Sequence, residues 1–232
     1  MQKARLILVR HGESLYNQHN LFTGWSDVEL SQKGREEAKE VGSVLARHQI
    51  YPDLCYTSWL KRAIHTAELA LCELEWEHID VKRSYQLNER HYGAWQGRDK
   101  DAIKQEYGEA AFLAVRRGYD TPPPALDESD ARVPWREQKY AKISRKLLPR
   151  SESLKDTKKR VVAYYNKEIA LQLQENKTLL ISAHGNSLRA LVMHLEQMSS
   201  EEVVTLEIPT GEIMVYTFDT TLHIIHKEVL LR

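Results

Sequence analysis

Short apolar runs recur along the chain, and each stops at a polar or charged residue. Ala4 to Val9 is apolar apart from Arg5 and flanked by polar residues, which predicts a buried strand. After a polar loop rich in Asn and Gly, "LSQKGREEAKEVGSVLARH" has helical apolar spacing with Ser31 as its N-cap. "DLCYTS" predicts a second strand, and Ser58 is placed to cap the helix in "WLKRAIHTAELALCEL". A short strand is expected near Val81, then a polar loop, "NERHYGAWQG", then one or two short helices between Asp99 and Gly118. Residues 121–150 are rich in Pro and charge and predict a long irregular excursion, which in a compact domain fits a functional lid or rim. Ser153 and Asp156 form a capping-box start for a long helix. Strand Thr178–Ala183, a helix from Ser187, a short acidic helix at "SSEEVV" and closing strands at Ile213–Phe218 and His223–Leu230 complete the pattern.

Strands that alternate with helices imply an α/β fold, a three-layer α/β/α arrangement with a mainly parallel central sheet. A length of 232 residues suits one domain, taken as 1–232. Ligands in such sheets bind at the carboxyl ends of strands, which would put Arg10-His11-Gly12 and His184-Gly185-Asn186 on one rim.

Composition narrows the classes of function. Lys plus Arg and Asp plus Glu both number 33, so no overall charge is available to hold nucleic acid or an anionic membrane. Any anion site must come from a local cluster of arginines. The apolar runs fall short of the roughly 20 residues that span a bilayer, and the N-terminal residues lack a signal-peptide pattern. Cys55 and Cys72 read as two reduced core thiols, which favours a cytoplasmic protein.

The chemistry-bearing residues sit at the strand ends. "LILVRHGES" (Leu6–Ser14) and "LLISAHGNS" (Leu179–Ser187) share one plan, an apolar strand running into His-Gly. Alone, His11 reads as a hydrogen-bonded residue closing a strand. Arg10 beside it cannot be neutralised and needs water or an anion, Gly12 permits close backbone approach to a ligand, and Ser14 and Asn17 add small hydrogen-bonding groups. Together they suggest a phosphate held by guanidinium while an imidazole nitrogen attacks phosphorus. Arg62 lies near a helix N-terminus, where partial positive charge also favours phosphate. On their own Glu89, Arg90, His91 and Tyr92 read as an exposed surface loop, and Arg116-Arg117-Gly118 fits the basic end of a helix. Nucleotide-binding glycine loops, a serine-hydrolase elbow and the common zinc spacings do not occur, so no metal is expected.

"LVRHGES", "FTGW", "TSWLKRAIHT", "LNERHYGAWQG", "RRGY", "AHGNSLRAL" and "IPTG" stand in that order between residues 8 and 211. In this combination the chain resembles the cofactor-dependent phosphoglycerate mutases of the histidine phosphatase superfamily. The resemblance implies a phosphohistidine at His11, primed by 2,3-bisphosphoglycerate, and interconversion of 3- and 2-phosphoglycerate without a metal. It implies that Arg10, Arg62 and His184 surround the transferring phosphoryl group and that Glu89 is the general acid and base. Ser14, Asn17, Thr23, Gly24 and Asn186 match phosphate contacts, and Arg90, Tyr92, Lys100, Arg116 and Arg117 match the positions that hold the substrate's carboxylate and far phosphate. Homo-oligomers are usual among such proteins. Bisphosphoglycerate mutases tend to carry Gly in place of Ser14 and "CSW" in place of Thr23-Gly24-Trp25. This chain therefore points to the glycolytic mutase, with synthase and phosphatase reactions minor; a histidine phosphatase acting on small phosphorylated metabolites is the alternative. Trp95 and Arg98 depart from many relatives and are expected to reshape the substrate rim. The chain also ends soon after "IPTG", without the tail that closes over the mouth in many relatives, which implies a phosphohistidine more open to water.

Overall fold

The computed structural model describes residues 3–231. Six strands form one sheet: β1 (Arg5–Arg10), β2 (Leu54–Thr57), β3 (Val81–Arg83), β4 (Thr178–Ala183), β5 (Ile213–Phe218) and β6 (Ile224–Leu230), in the order β3-β2-β4-β1-β5-β6. The pairs β1–β4, β4–β2 and β2–β3 are parallel, while β5 runs antiparallel to both β1 and β6. The central strands are apolar at consecutive positions because both of their faces are covered. Leu6 and Leu8, Leu179 and Ile181, and Met214 and Tyr216 enter one core cluster; Ile7 and Val9, Leu180, and Ile213 and Val215 enter the other.

Nine α-helices flank or edge the sheet among the described residues: α1 (Leu15–Gln18), α2 (Gln32–Arg47), α3 (Lys61–Glu73), α4 (Lys100–Tyr107), α5 (Glu109–Arg116), α6 (Leu154–Tyr164), α7 (Ala170–Gln174), α8 (Gly185–Leu195) and α9 (Glu202–Thr205). A π-helical turn, Tyr165–Ile169, joins α6 to α7. Helices α2 and α3 bury Val41, Val44, Ala67 and Leu71 against one face, while α6 and α8 bury Val161, Leu188 and Leu191 against the other. This is the expected three-layer α/β/α arrangement, with a mainly parallel sheet. Ser31 caps α2 by accepting the Gly34 amide, and Ser153 and Asp156 form the capping box of α6.

Several local expectations fail for identifiable reasons. Ser58 does not cap α3; Leu60 takes that position, and the Ser58 hydroxyl is drawn inward to His184. Helix α8 starts at Gly185, two residues before Ser187, with His184 as its N-cap. The polar loop after β1 contains α1, started by a Ser14–Asn17 capping box. Cys55 is a buried core thiol, but Cys72 is exposed on the outer side of α3. Trp95 is buried with Phe22, Tyr92, Ile103, Phe112 and Val115, while Arg98 is partly exposed and pairs with Glu106.

The excursion holds three short 3-10 turns at Pro134–Arg136, Gln138–Tyr140 and Arg145–Leu147. It is pinned beside the 88–97 loop. The Tyr140 hydroxyl accepts from Asn88 at 2.9 Å, its ring stacks on Trp25 at 5.1 Å, and Arg132 donates to the Gln96 carbonyl at 3.0 Å.

Candidate active site

Strands β1 and β4 are parallel neighbours with Arg10 opposite Ala183, so the loops that leave them emerge side by side. The His11 amide donates to the Ala183 carbonyl at 2.9 Å, which locks the two strand ends together. His11 and His184 are both buried, with ring centroids 4.9 Å apart in an edge-on arrangement.

Hydrogen bonds select the His11 tautomer. Its Nδ1 lies 2.7 Å from the Gly12 carbonyl, which can only accept, so Nδ1 carries the proton. Nε2 keeps its lone pair, and Arg62 Nε donates to it at 3.3 Å. Burial, and then the charges of Arg62 and Arg10, hold His11 well below the ordinary imidazole range, against a smaller opposing pull from the Gly12 carbonyl. Burial, followed by Arg62 and His11, does the same to His184. Both rings are therefore neutral at neutral pH, and His11 Nε2 is unprotonated, its lone pair facing the Arg62 guanidinium.

Arg62 sits fully buried at the start of α3, and burial pushes it down to about 10, still charged at neutral pH. Its other donors reach the carbonyls of Gly24 and Ser26 at 2.7 and 2.9 Å. One guanidinium thus fixes the loop of Thr23 and Gly24 against the histidine. Gly24 has a φ of +53°, which favours glycine, and a Cβ there would stand 2.2 Å from Gln96 Oε1 and displace the Gln96 amide that accepts from Trp25.

These groups open onto a cavity of about 280 Å³. Arg10, Arg62, Lys100, Arg116, Arg117 and Arg189 line it, opposed only by the carboxylates Glu89 and Glu207. A chain without net charge has gathered its cations here, as a polyanion site needs. Arg10 Nε is buried at the cavity wall with no hydrogen-bond partner, a donor left over for an oxyanion. A Cβ on Gly185 would lie 3.5 Å from the Arg10 guanidinium carbon and 3.7 Å from Glu89 Oε2, so glycine keeps the space between them open. Glu89 Oε1 accepts the amides of Arg90 at 2.7 Å and Asn186 at 3.1 Å, which holds the carboxylate against the N-terminus of α8.

Asn17, Thr23, Tyr92 and Asn186 also line the cavity. Four sequence-derived residues do not line it. His184 stands edge-on to His11 with its Nε2 2.8 Å from the Ser58 hydroxyl. Ser14 is fully buried behind the wall, where its hydroxyl donates to Asn17 Oδ1 and accepts the Asn17 amide. Arg90 is fully buried and spends its donors on the carbonyls of Val115 and Arg116 and on the Tyr92 hydroxyl, holding the end of α5 in place. Gly12 makes room for protein rather than ligand, since a Cβ there would stand 2.1 Å from the Gly34 carbonyl oxygen.

Sequence reasoning missed Arg189 and Glu207. Arg189, on α8, is buried and donates to Asn186 Oδ1 and to the carbonyls of Arg117 and Val203. Glu207 pairs with Arg117 at the cavity mouth.

Lys100 carries a pH dependence. Burial, then the charges of Arg116 and Arg10, lower it to about 8. Its charge is present below that pH and lost above it, and a bound anion raises the value again. Sulfate, whose own charge is constant in this range, should inhibit about tenfold more weakly above the transition. Lys100→Arg should abolish that limb; an unchanged limb in this variant would rule out Lys100 as its source.

The comparisons bear on this geometry. The family model described as "Histidine phosphatase superfamily (branch 1)" matches residues 6–142 and 126–227. A 2,3-bisphosphoglycerate-dependent phosphoglycerate mutase from Treponema denticola is 49% identical over 97% of this chain and 92% of its own length. One from Cutibacterium acnes is 48% identical over 94% and 88%. The chain belongs to the phosphoglycerate mutase family of the histidine phosphatase superfamily. A solved structure of a mycobacterial glucosyl-3-phosphoglycerate phosphatase superposes with a TM-score of 0.73 at 22% identity, covering 99% of this chain and 98% of that one. At that identity the likeness speaks for the fold alone. The sheet that carries the paired strand ends belongs to that shared fold. Among the described residues, no group of three or more His, Cys, Asp or Glu could hold a metal, and no helix is long and apolar enough to cross a membrane.

Proposed function

We propose that this enzyme interconverts 3-phosphoglycerate and 2-phosphoglycerate through a phosphohistidine at His11. The observation that carries the reading is the lone pair of His11 Nε2, fixed beside Arg62 in a cavity with six cationic side chains and Glu89. The orphaned Arg10 Nε and the open space at Gly185 suit a ligand with two anionic ends, which fits 2,3-bisphosphoglycerate. When bound, that cofactor supplies the phosphoryl group that primes the enzyme.

His11 Nε2 forms the N–P bond as the P–O bond of the donor breaks. Glu89 gives its proton to the departing oxygen, and in the return step takes the proton of the hydroxyl that attacks the phosphohistidine. Arg10, Arg62 and the neutral His184 donate to the equatorial oxygens of the transferring group, where negative charge is spread in the transition state. Asn17, Thr23, Gly24 and Asn186 line the phosphate end, with Ser14 supporting Asn17 from behind. Lys100, Arg116 and Arg117, steadied by Arg90 and Tyr92, hold the carboxylate and far phosphate. These cations supply the positive charge, so the reading needs no metal. It takes the enzyme to be a cytoplasmic homo-oligomer with minor synthase and phosphatase activities.

A coupled assay of 2-phosphoglycerate formation tests the reading. Catalytic amounts of 2,3-bisphosphoglycerate should stimulate the rate of dephosphorylated enzyme at least tenfold, the gain of a required primer. Release of inorganic phosphate without net isomerisation would replace the mutase with a phosphatase.

A further inference from the structure

The loop that carries Glu89 is held by a side chain that the reaction itself never touches. Arg160, on α6, uses all five of its guanidinium hydrogens. Nη1 donates to the carbonyls of Gln86 and Asn88, both at 2.8 Å, and Nη2 to the carbonyl of Glu89, also at 2.8 Å. Nε and Nη2 grip Glu152 Oε1 and Oε2, both at 2.7 Å. Three of the four residues from 86 to 89 are thus fastened from one point.

The second half of the clamp is Glu152. Its Oε2 accepts the His91 amide at 2.9 Å, and its own amide donates to the His91 carbonyl at 2.9 Å. The carboxylate is almost wholly shielded, 5% exposed, with Arg160 at 12%, so the pair is desolvated and its geometry is rigid. Trp25 closes the assembly, as its Nε1 donates to the Glu89 carbonyl at 2.6 Å while Arg160 lies over its ring at 5.6 Å. Glu89 is therefore gripped at its carbonyl by Arg160 and Trp25, and at its carboxylate by the amides of Arg90 and Asn186.

We propose that Arg160, with Glu152, is the positioning residue that sets the Glu89 carboxylate for proton transfer. The inference rests on the acid and base role of Glu89 proposed above. It follows from where the five bonds go, since a residue needed only for helix packing would not converge on the carbonyls leading into Glu89 and on the backbone that follows it. A lysine keeps the charge but offers one point donor in place of a planar fork, so it cannot serve three carbonyls and a bidentate carboxylate together. The expected result is a carboxylate slightly displaced, not a lost fold.

The test compares two phosphoryl donors in single-turnover phosphorylation of His11. With 2,3-bisphosphoglycerate the departing alkoxide needs a proton. With p-nitrophenyl phosphate the N–P bond forms as nitrophenolate leaves with its electron pair, and no proton is required. Arg160→Lys should slow the first reaction about 30-fold or more and the second less than about threefold, with phosphohistidine still reaching near one per chain. Glu89→Gln should separate the donors in the same direction and further. If Arg160→Lys is poorly folded, Glu152→Gln, which keeps shape and removes charge, makes the same comparison. Equal slowing of both donors, or of neither, while Glu89→Gln still separates them overturns the positioning role and leaves the mutase reading standing. If Glu89→Gln fails to separate them, the acid role of Glu89 falls, and the inference falls with it.

Discussion

His11→Ala should abolish turnover, lowering 2-phosphoglycerate formation by roughly 10⁶-fold, the scale on which loss of a nucleophile is felt. The reason lies in how specifically this nitrogen is prepared. The Gly12 carbonyl fixes the proton on Nδ1, Arg62 faces Nε2, and burial with two guanidinium groups keeps the ring uncharged. No neighbour can take over. His184 has its Nε2 within 2.8 Å of the Ser58 hydroxyl, and the polar side chains of the cavity besides His11 are cations, amides, carboxylates and the hydroxyls of Thr23 and Tyr92, none of them an imidazole. Acid-labile radiolabel from 2,3-bisphosphoglycerate should be incorporated at about one per chain in the wild type and be absent in the variant. Persistent incorporation in a folded His11→Ala protein would move the covalent step to another residue.

Acid should unfold the ligand-free enzyme early, and three imidazoles are the cause. His11 and His184 are held far below their ordinary values, and burial, then Arg160 and Arg132, push His91 down to about 3. In the unfolded chain the same groups titrate near about 6.5. Below that pH the unfolded state binds protons that the native state refuses. The stability they contribute is complete above about pH 6.5 and is lost as pH falls toward the folded values. Each imidazole accounts for about 1.4 kcal/mol per pH unit, and the three together for about 4. For His91, with its folded value of about 3, the loss by about pH 5 is about 2 kcal/mol, and His11 and His184 act in the same direction. Urea unfolding midpoints measured from neutral pH downward should fall steeply; a midpoint level across that range would show that the rings take up protons in the native state.

The sheet was legible in the sequence because its central strands are covered on both faces, leaving unbroken apolar runs that end where the chemistry begins. Strands β4 and β5 match their predicted limits, and Arg10, His11 and His184 fall where the strand ends placed them. Capping signals served where the cap is local, as at Ser31 and Ser153. Ser58 failed because a buried imidazole competes for its hydroxyl across 126 positions of chain. Arg160 was illegible for a related reason. Nothing in its helix marks it, and its five acceptors come from the 86–89 loop and from Glu152. Ser14, read as a small hydrogen-bonding group beside the strand end, and Arg90, placed by resemblance, both act on neighbours that line the cavity rather than lining it themselves.

The pair between Glu207 and Arg117 changes how binding should be counted. Glu207 is largely exposed, so the contact is weak and exchanges readily with water. In the ligand-free enzyme it acts as a tethered counter-ion for one of the six cations at the cavity. An incoming phosphoglycerate that takes Arg117 displaces a carboxylate the protein already owns, so part of the association is an ion exchange. Its free energy and its salt dependence are then smaller than six unpaired cations would give. A catalyst that must let its product leave gains from a ligand held a little less tightly than bare charge would hold it.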